Sequence, residues 1–341
     1  MDSDKSKIEN KKRVVIKLPI SIIRGCTSKG VYILKNDLPT NKEEWDPLLL
    51  RLMGSPDQKQ IDGLGGSQSV TSKIAIISKS SNPEADVDYT FAQVSIDKPI
   101  VSYKGNCGNI SSGVGPFAIE KGLVKAKKGI TAVKVFNTNT QKLIIEEVQT
   151  PNEKVEYFGE FSIAGVPGTS APIKLKFINP SGTLGKGLLP TNNPIDILEI
   201  PNFGKINIID DYKKSSWSTP GIPKMTFVAA SDDYITSDGK EIKKENIDLL
   251  SRMMSMQKAH PSYAMTGAMC TAAAAIIPNS IVNQVLSKNC DTQFIRIGHS
   301  GGVLECGVDY KENGNNPIIE DTFGFRTANL LMEGIANIRM S

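Results

Sequence analysis

Only two histidines, His260 and His299, occur in the 341 residues. So few imidazoles argue against a histidine-based metal site. Cysteine is scarce too: residues 26, 107, 270, 290 and 306 are odd in number, widely spaced and never in a Cys-x-x-Cys pair. That usage argues against a disulfide framework or a zinc ribbon. It reads as reduced thiols and gives the expectation of a cytoplasmic protein. Long apolar runs are missing: the longest, around Ala272 to Ile277, is far short of the roughly 20 residues a membrane helix needs. The first twelve residues are polar and charged, without the apolar stretch of a secretory signal. The one glycosylation sequon, Asn109-Ile110-Ser111, is discounted for the same reason. Basic blocks are absent outside that N-terminal segment and the net charge is only +4. A nucleic-acid partner is therefore not expected, while an anionic small substrate is compatible. Gly25-Cys26-Thr27-Ser28-Lys29-Gly30 superficially resembles a phosphate loop, but no Lys-Ser/Thr follows the second glycine and the nucleotide reading fails.

What the chain does have is a run of glycine-punctuated polar motifs. Gly105-Asn106-Cys107-Gly108-Asn109 leads into Ile110 to Val124, a short helix of small and apolar residues, after an alternating apolar strand over Val94 to Tyr103. A helix start leaves N–H groups unpaired and carries the positive end of the dipole, so a thiol there has its thiolate stabilised. The glycines let a carboxylate approach those N–H groups. Against this stands the ordinary role of cysteine as a small buried hydrophobe. Thr266-Gly267-Ala268-Met269-Cys270 opens a second element of the same kind, a helix expected to run to Leu286. If each half of the chain wraps strands around one such helix, the two helix starts face each other across a cleft as a paired anion site.

Elsewhere, Asn41 to Met53 reads as a helix with Trp45, Leu48, Leu49 and Leu52 on its core face. Ile61 to Ser67 is too glycine-rich for a regular element and reads as a loop whose backbone approaches something closely. Val70 to Ile77 is a strand carrying Lys73. That lysine is either a strand-end residue snorkelling to water or an amine whose charge burial disfavours, able to act as a base. Asp86 to Ile96, Ala132 to Phe136 and Lys142 to Val148 read as strands, and Glu153 to Ser162 as a hairpin. Gly165 to Pro194 reads as a linker, Lys244 to Ala259 as a helix, and Phe294 to Val303 as a strand ending in a glycine turn. Arg296 on that strand could clamp a carboxylate; a lone arginine is more often a surface residue.

Taken together, Arg24 to Gly30, Gly54-Ser55-Pro56-Asp57, Asp62 to Gly66, Thr71-Ser72-Lys73, Gly105 to Asn109 with Gly113 to Ala118, Arg296 to His299, Arg326-Thr327-Ala328 and Met332-Glu333-Gly334 resemble the methylaconitate isomerase (PrpF-like) family, nearly over the whole chain and in order. The resemblance implies an α+β, diaminopimelate-epimerase-like fold: two β-barrel-like domains, residues 1–184 and 185–341, each around a central helix, with a cleft between them. It implies a cofactor-free, metal-free isomerase that shifts a double bond or changes cis/trans geometry in an unsaturated di- or tricarboxylic acid. Methylaconitate, aconitate and methylitaconate are examples. Family knowledge places the proton transfers on a lysine and a cysteine, here Lys73 and Cys107. Ser28, Asp62, Gly66, Ser72, Asn106, Gly108, Asn109, Thr266 and Arg296 are weaker candidates for substrate contact. Epimerases of this fold use a thiol from each half; the second helix start here offers Met265 and Thr266, so a two-thiol racemase fits less well. One departure stands out. Relatives carry a further strand, glycine turn and helix after the position of Asp210, so the second domain reads as shortened. Two expectations follow: self-association through that half, or a non-catalytic homologue that binds polycarboxylates or a protein partner.

Overall fold

A computed structural model describes residues 14–180, 225–255, 258–260, 262–314 and 317–340. Strands β1 (Val14–Gly25) and β2 (Ser28–Leu34) form a tight hairpin, and helix α1 (Trp45–Met53) follows. Trp45, Leu48, Leu49, Leu52 and Met53 bury one face of α1 against β1 to β2 and the next strand, and left-handed Gly54 ends the helix. The glycine loop after it does make the expected close approach, but to its own helix end. A Cβ at Gly63 would come within 2.1 Å of the Gly54 nitrogen.

Then come β3 (Lys73–Lys79), β4 (Val87–Val94), β5 (Val101–Ser102), helices α2 (Gly108–Ser111) and α3 (Val114–Glu120), β6 (Gly129–Asn137) and β7 (Lys142–Thr150). The strand expected over Val94 to Tyr103 is broken: a turn through Asp97, Lys98 and Pro99 leaves only the two residues of β5 paired with β4. The hairpin expected over Glu153 to Ser162 is loop up to β8 (Phe161–Ser162), which pairs with β9 (Thr169–Ser170). The stretch read as a linker contains β10 (Ile173–Ile178), a strand with neighbours on both sides. Its alternation Ile173, Leu175, Phe177 was hidden among prolines and glycines.

The second part runs β11 (Met225–Ala229), the small pair β12 (Tyr234–Ile235) and β13 (Glu241–Ile242), β14 (Leu249–Ser255), β15 (Lys258–Ala259), helices α4 (Met265–Ala275) and α5 (Ile281–Val285), then β16 (Phe294–His299), β17 (Gly302–Lys311), β18 (Ile318–Arg326) and β19 (Ala328–Met340). The helix expected over Lys244 to Ala259 is therefore β14 and β15. The long second helix is two pieces, because Pro278-Asn279-Ser280 ends the first and Ser280 caps the second.

Apart from two small pairs, the strands form one mixed sheet in the order β11, β14, β16, β17, β18, β10, β7, β6, β4, β3, β2, β1, β19. The two parts repeat a unit. β4 crosses through α2 and α3 to the parallel β6, which turns back into β7; β14 crosses through α4 and α5 to the parallel β16, which turns back into β17. One continuous apolar core joins Ile110, Val114 and Phe117 of the first crossover to Met265, Ala268, Met269 and Ala272 of the second. The last strand, β19, returns to pair with β1 along its whole length. The position after Asp210 and the boundary at 184/185 lie outside the described residues.

Candidate active site

Cys107 is the N-cap residue of α2, extended at φ −124° and ψ 100°, as a cap requires. Asn106 sets it in place. Its Oδ1 accepts from the Cys107 N–H at 2.7 Å and from the Asn137 amide at 3.2 Å, with the Ser111 hydroxyl at 3.3 Å. The next residue, Gly108, meets the head of α4. A Cβ there would lie 2.8 Å from the Met265 Cβ and 3.7 Å from the Thr266 Cγ2. The two helix starts thus face and touch each other, and neither carries a side-chain cap.

Lys73 opens β3, between β2 and β4, opposite Gly30 and Gln93. It is only 8% exposed, so it does not snorkel to water. Its Nζ donates to Gln93 Oε1 at 2.7 Å and lies 5.2 Å from the centre of the Phe91 ring. The Gln93 amide in turn donates to the carbonyls of Ser72 (2.8 Å) and Ser69 (3.1 Å), which fixes the orientation of its oxygen. Ser72 is structural at its hydroxyl, accepting from Gln60 and donating to the Val94 carbonyl. Gly66 packs its backbone on Thr71.

Two expected contacts lie elsewhere. Asp62 is exposed and held by Arg51 (2.7 Å) and Arg339 (2.8 Å), where the glycine loop meets α1 and β19. Arg296 is clamped by buried Asp248, with both carboxylate oxygens engaged at 2.8 and 3.2 Å. Its neighbour Ile297 points inward, so strand alternation turns Arg296 outward.

A cavity of about 230 Å³ lies where the two parts meet. Its wall includes Cys26, Thr27 and Asn109 from the first part, Phe161 to Ala164 from the β8 segment, and Ser262, Tyr263, His299, Glu305 and Arg326 from the second. Asn109, two residues past Cys107, donates to the hydroxyls of Thr27 (2.9 Å) and Ser28 (3.4 Å). Thus Asn109, expected at the site, lines this wall and bonds Ser28, also expected there; Ser28, like Lys73 and Cys107, does not itself line it. His299 is buried. Burial first, then the cations Arg326 and Arg252, bring its pKa down to about 4, so the ring is neutral at pH 7. Its Nδ1 accepts from the Gly301 N–H at 3.1 Å, which leaves the proton on Nε2.

Thr27, His299 and Arg326 carried a signal in the sequence without a role. The hairpin between β1 and β2 meets the turn between β18 and β19: Cys26 N–H donates to the Thr327 carbonyl at 2.9 Å, and Arg24 to the Thr327 hydroxyl at 2.9 Å. Two motifs three hundred residues apart are one piece of structure. Among the described residues no group of histidines, cysteines and carboxylates is placed to hold a metal, and no helix is long and apolar enough to cross a membrane.

A family model described as PrpF protein matches residues 15–216 and 208–339. The 3-methylitaconate isomerase of Eubacterium barkeri is 40% identical, with 94% of this chain and 96% of that one covered. That alignment spans 370 positions, more than the 341 residues here. The 2-methyl-aconitate isomerase of Cupriavidus necator is 34% identical over 94% of this chain and 96% of its own. Among solved structures, a methylitaconate delta-isomerase superposes with a TM-score of 0.80 at 38% identity, covering 95% of this chain and 96% of that one. A hydroxyproline epimerase from Agrobacterium vitis, 11% identical with a TM-score of 0.50 over 96% of this chain and 94% of its own, shares the fold alone.

Proposed function

The chain belongs to the PrpF protein family, and from that premise we propose that it is an isomerase of unsaturated di- or tricarboxylic acids, with Lys73 and Cys107 as its two proton carriers. The observation that carries this reading is the placement of Cys107 at the head of α2, one residue before Gly108 meets the head of α4.

The reaction is a 1,3-allylic proton shift. A base removes a proton from the carbon γ to a carboxylate, the electron pair moves into a dienolate, and an acid returns a proton at the α carbon. Negative charge builds on the carboxylate oxygens at the dienolate stage, so N–H donors aimed there lower the barrier. The uncapped start of α4 and the Gly108–Asn109 backbone supply such donors. Cys107, held by Asn106, serves one face of the substrate. Lys73 serves the other: an amine has a proton to exchange, and Gln93 Oε1 directs that proton. Ser28, Asn109 and Thr266 border the same region and serve substrate contact. In this reading both proton carriers are protein side chains, and no cofactor is asked for. The two halves act as barrel-like domains around α2 with α3 and around α4.

Incubation with methylitaconate, methylaconitate and aconitate in deuterated water, followed by NMR, tests the proposal. Deuterium at the α and γ carbons of at least one acid supports it. Protein that leaves all three acids fully protonated and unisomerised overturns it.

A further inference from the structure

The wall of the cavity beside Asn109 includes a guanidinium, two of whose nitrogens have no partner among the described residues. Arg326, the last residue of β18, is 4% exposed. Its Nη1 donates to the carbonyl of Phe325 at 2.8 Å, which pins the plane of the guanidinium. Its Nε and Nη2 are buried and have no hydrogen-bond partner among the described residues. These two atoms are the edge of the fork that offers parallel N–H bonds, the edge that matches a carboxylate. Among the described residues nothing on the cavity wall supplies the missing charge. The Cys26 and Cys306 thiols are held protonated by burial, that of Cys306 pushed up to about 12, and His299 is neutral. Glu305, the one carboxylate on the wall, is exposed and makes no ion pair with Arg326. A buried cation with two empty donors costs stability unless something fills it, and a bound anion does.

We propose that Arg326 is the binding residue of a second carboxylate subsite, its Nε/Nη2 edge gripping the substrate carboxylate remote from the reacting carbons, with Thr27 and Asn109 on the wall of the same cavity. The proposal deepens the isomerase reading and rests on it for the identity of the ligand. It explains why the site would prefer di- and tricarboxylates. One carboxylate takes the helix starts beside Cys107, where charge develops. The other takes Arg326 and sets the register of the carbon chain between them. Arg326 contributes ground-state and transition-state binding alike, so its loss should raise KM more than it lowers kcat.

The test uses tricarballylate, a saturated tricarboxylate that cannot isomerise. Calorimetry measures its affinity for wild type, Arg326→Gln and Arg326→Lys, and a thermal melt checks each fold. In parallel, the Arg326 Nε–H resonance of the wild type is followed by ¹⁵N NMR as ligand is added. The expected result is a Kd raised about 30-fold or more in Arg326→Gln, the size of loss typical when a charged hydrogen-bond partner is removed. Arg326→Lys, which keeps the charge but loses the parallel edge, should bind at least about tenfold more weakly. The Nε–H resonance should shift on binding. Wild-type affinity in either folded variant, or an unmoved Nε–H resonance at saturation, overturns the subsite. If the glutamine variant does not fold, the lysine variant and the wild-type resonance decide. Tight, Arg326-dependent binding without isomerisation of any acid would keep the subsite and remove the isomerase reading. Isomerisation with Arg326-independent binding would do the reverse.

Discussion

At Lys73 the choice between a base and a plain cation is open to a direct substitution. The amine is buried and held by Gln93, with an aromatic face beside it. An arginine there keeps the charge but cannot give up its proton near neutral pH. Lys73→Arg should therefore lose turnover as completely as Lys73→Ala, by a factor of about 10² or more, the scale of a lost general acid–base group. A near-normal rate in the arginine variant would reduce Lys73 to a charge. A second residue bears on stability. Glu146 is fully buried, accepts from the Gly115 N–H at 2.7 Å with one oxygen, and has no partner for the other among the described residues. Burial pushes its carboxyl well above the usual carboxylate range, with the Gly115 bond offsetting only part. A folded-state pKa raised above the unfolded value gives stability that is fully present below that unfolded value, about 4.3, and is lost as pH rises. Glu146→Gln keeps the acceptor and removes the ionisation. Its melting temperature relative to wild type should climb between pH 4 and pH 8; a constant difference across that range would contradict this account of Glu146.

Among the elements, the contact between the heads of α2 and α4 is the tightest constraint on the site. Gly108→Ala places a Cβ 2.8 Å from the Met265 Cβ, so one helix start must move. The expected cost is about 1–3 kcal/mol, as for other overpacked sites, together with reduced turnover, because Cys107 moves with α2. Wild-type melting and rate in this variant would mean that the two heads are not rigidly apposed. Elements were legible in the sequence where one periodicity ruled. The α1 stripe was read residue by residue, the strands β6 and β7 were found but read too short, by three residues at the start of β6 and two at the end of β7, and the starts of both small-residue helices were read nearly to the residue. β14 was misread as helix for a physical reason. Its buried side, Leu249, Ser251 and Met253, includes a serine whose hydroxyl bonds the Tyr263 hydroxyl at 2.8 Å. Asp248 next to it is buried by its pair with Arg296. Polar residues on the inward face hid the alternation and left the methionines at helical spacing. The site was legible in part. Cys107, Asn106, Gly108 and Asn109 form one local turn that a sequence can display. Arg326 and Thr27 became neighbours only through the pairing of β1 with β19, which no local pattern announces.

For the whole molecule, among the described residues the sheet ends on one side at β11, whose only neighbour is β14. In the first part, β3, the counterpart of β11, is followed in the sheet by β2 and β1. Phe227 of β11 is 60% exposed and Met225 is also exposed. An open edge with apolar side chains pairs readily with a second copy. We expect the 341-residue chain to elute from size exclusion as an oligomer, and a form lengthened after Asp210 to the length of its relatives to elute smaller and turn over faster. A short form that is monomeric and as active as the long one would show that the edge needs no cover. The account as a whole rests on a proton shift carried by Cys107, and its most direct test is isotopic. Wild type and Cys107→Ala are incubated with methylitaconate in deuterated water, with a thermal melt on each. The prediction is deuterium at the α and γ carbons with wild type, none above background with the alanine variant, and closely similar melting, because the thiol is only partly buried. Deuterium entering at the wild-type rate in a folded Cys107→Ala protein would contradict it.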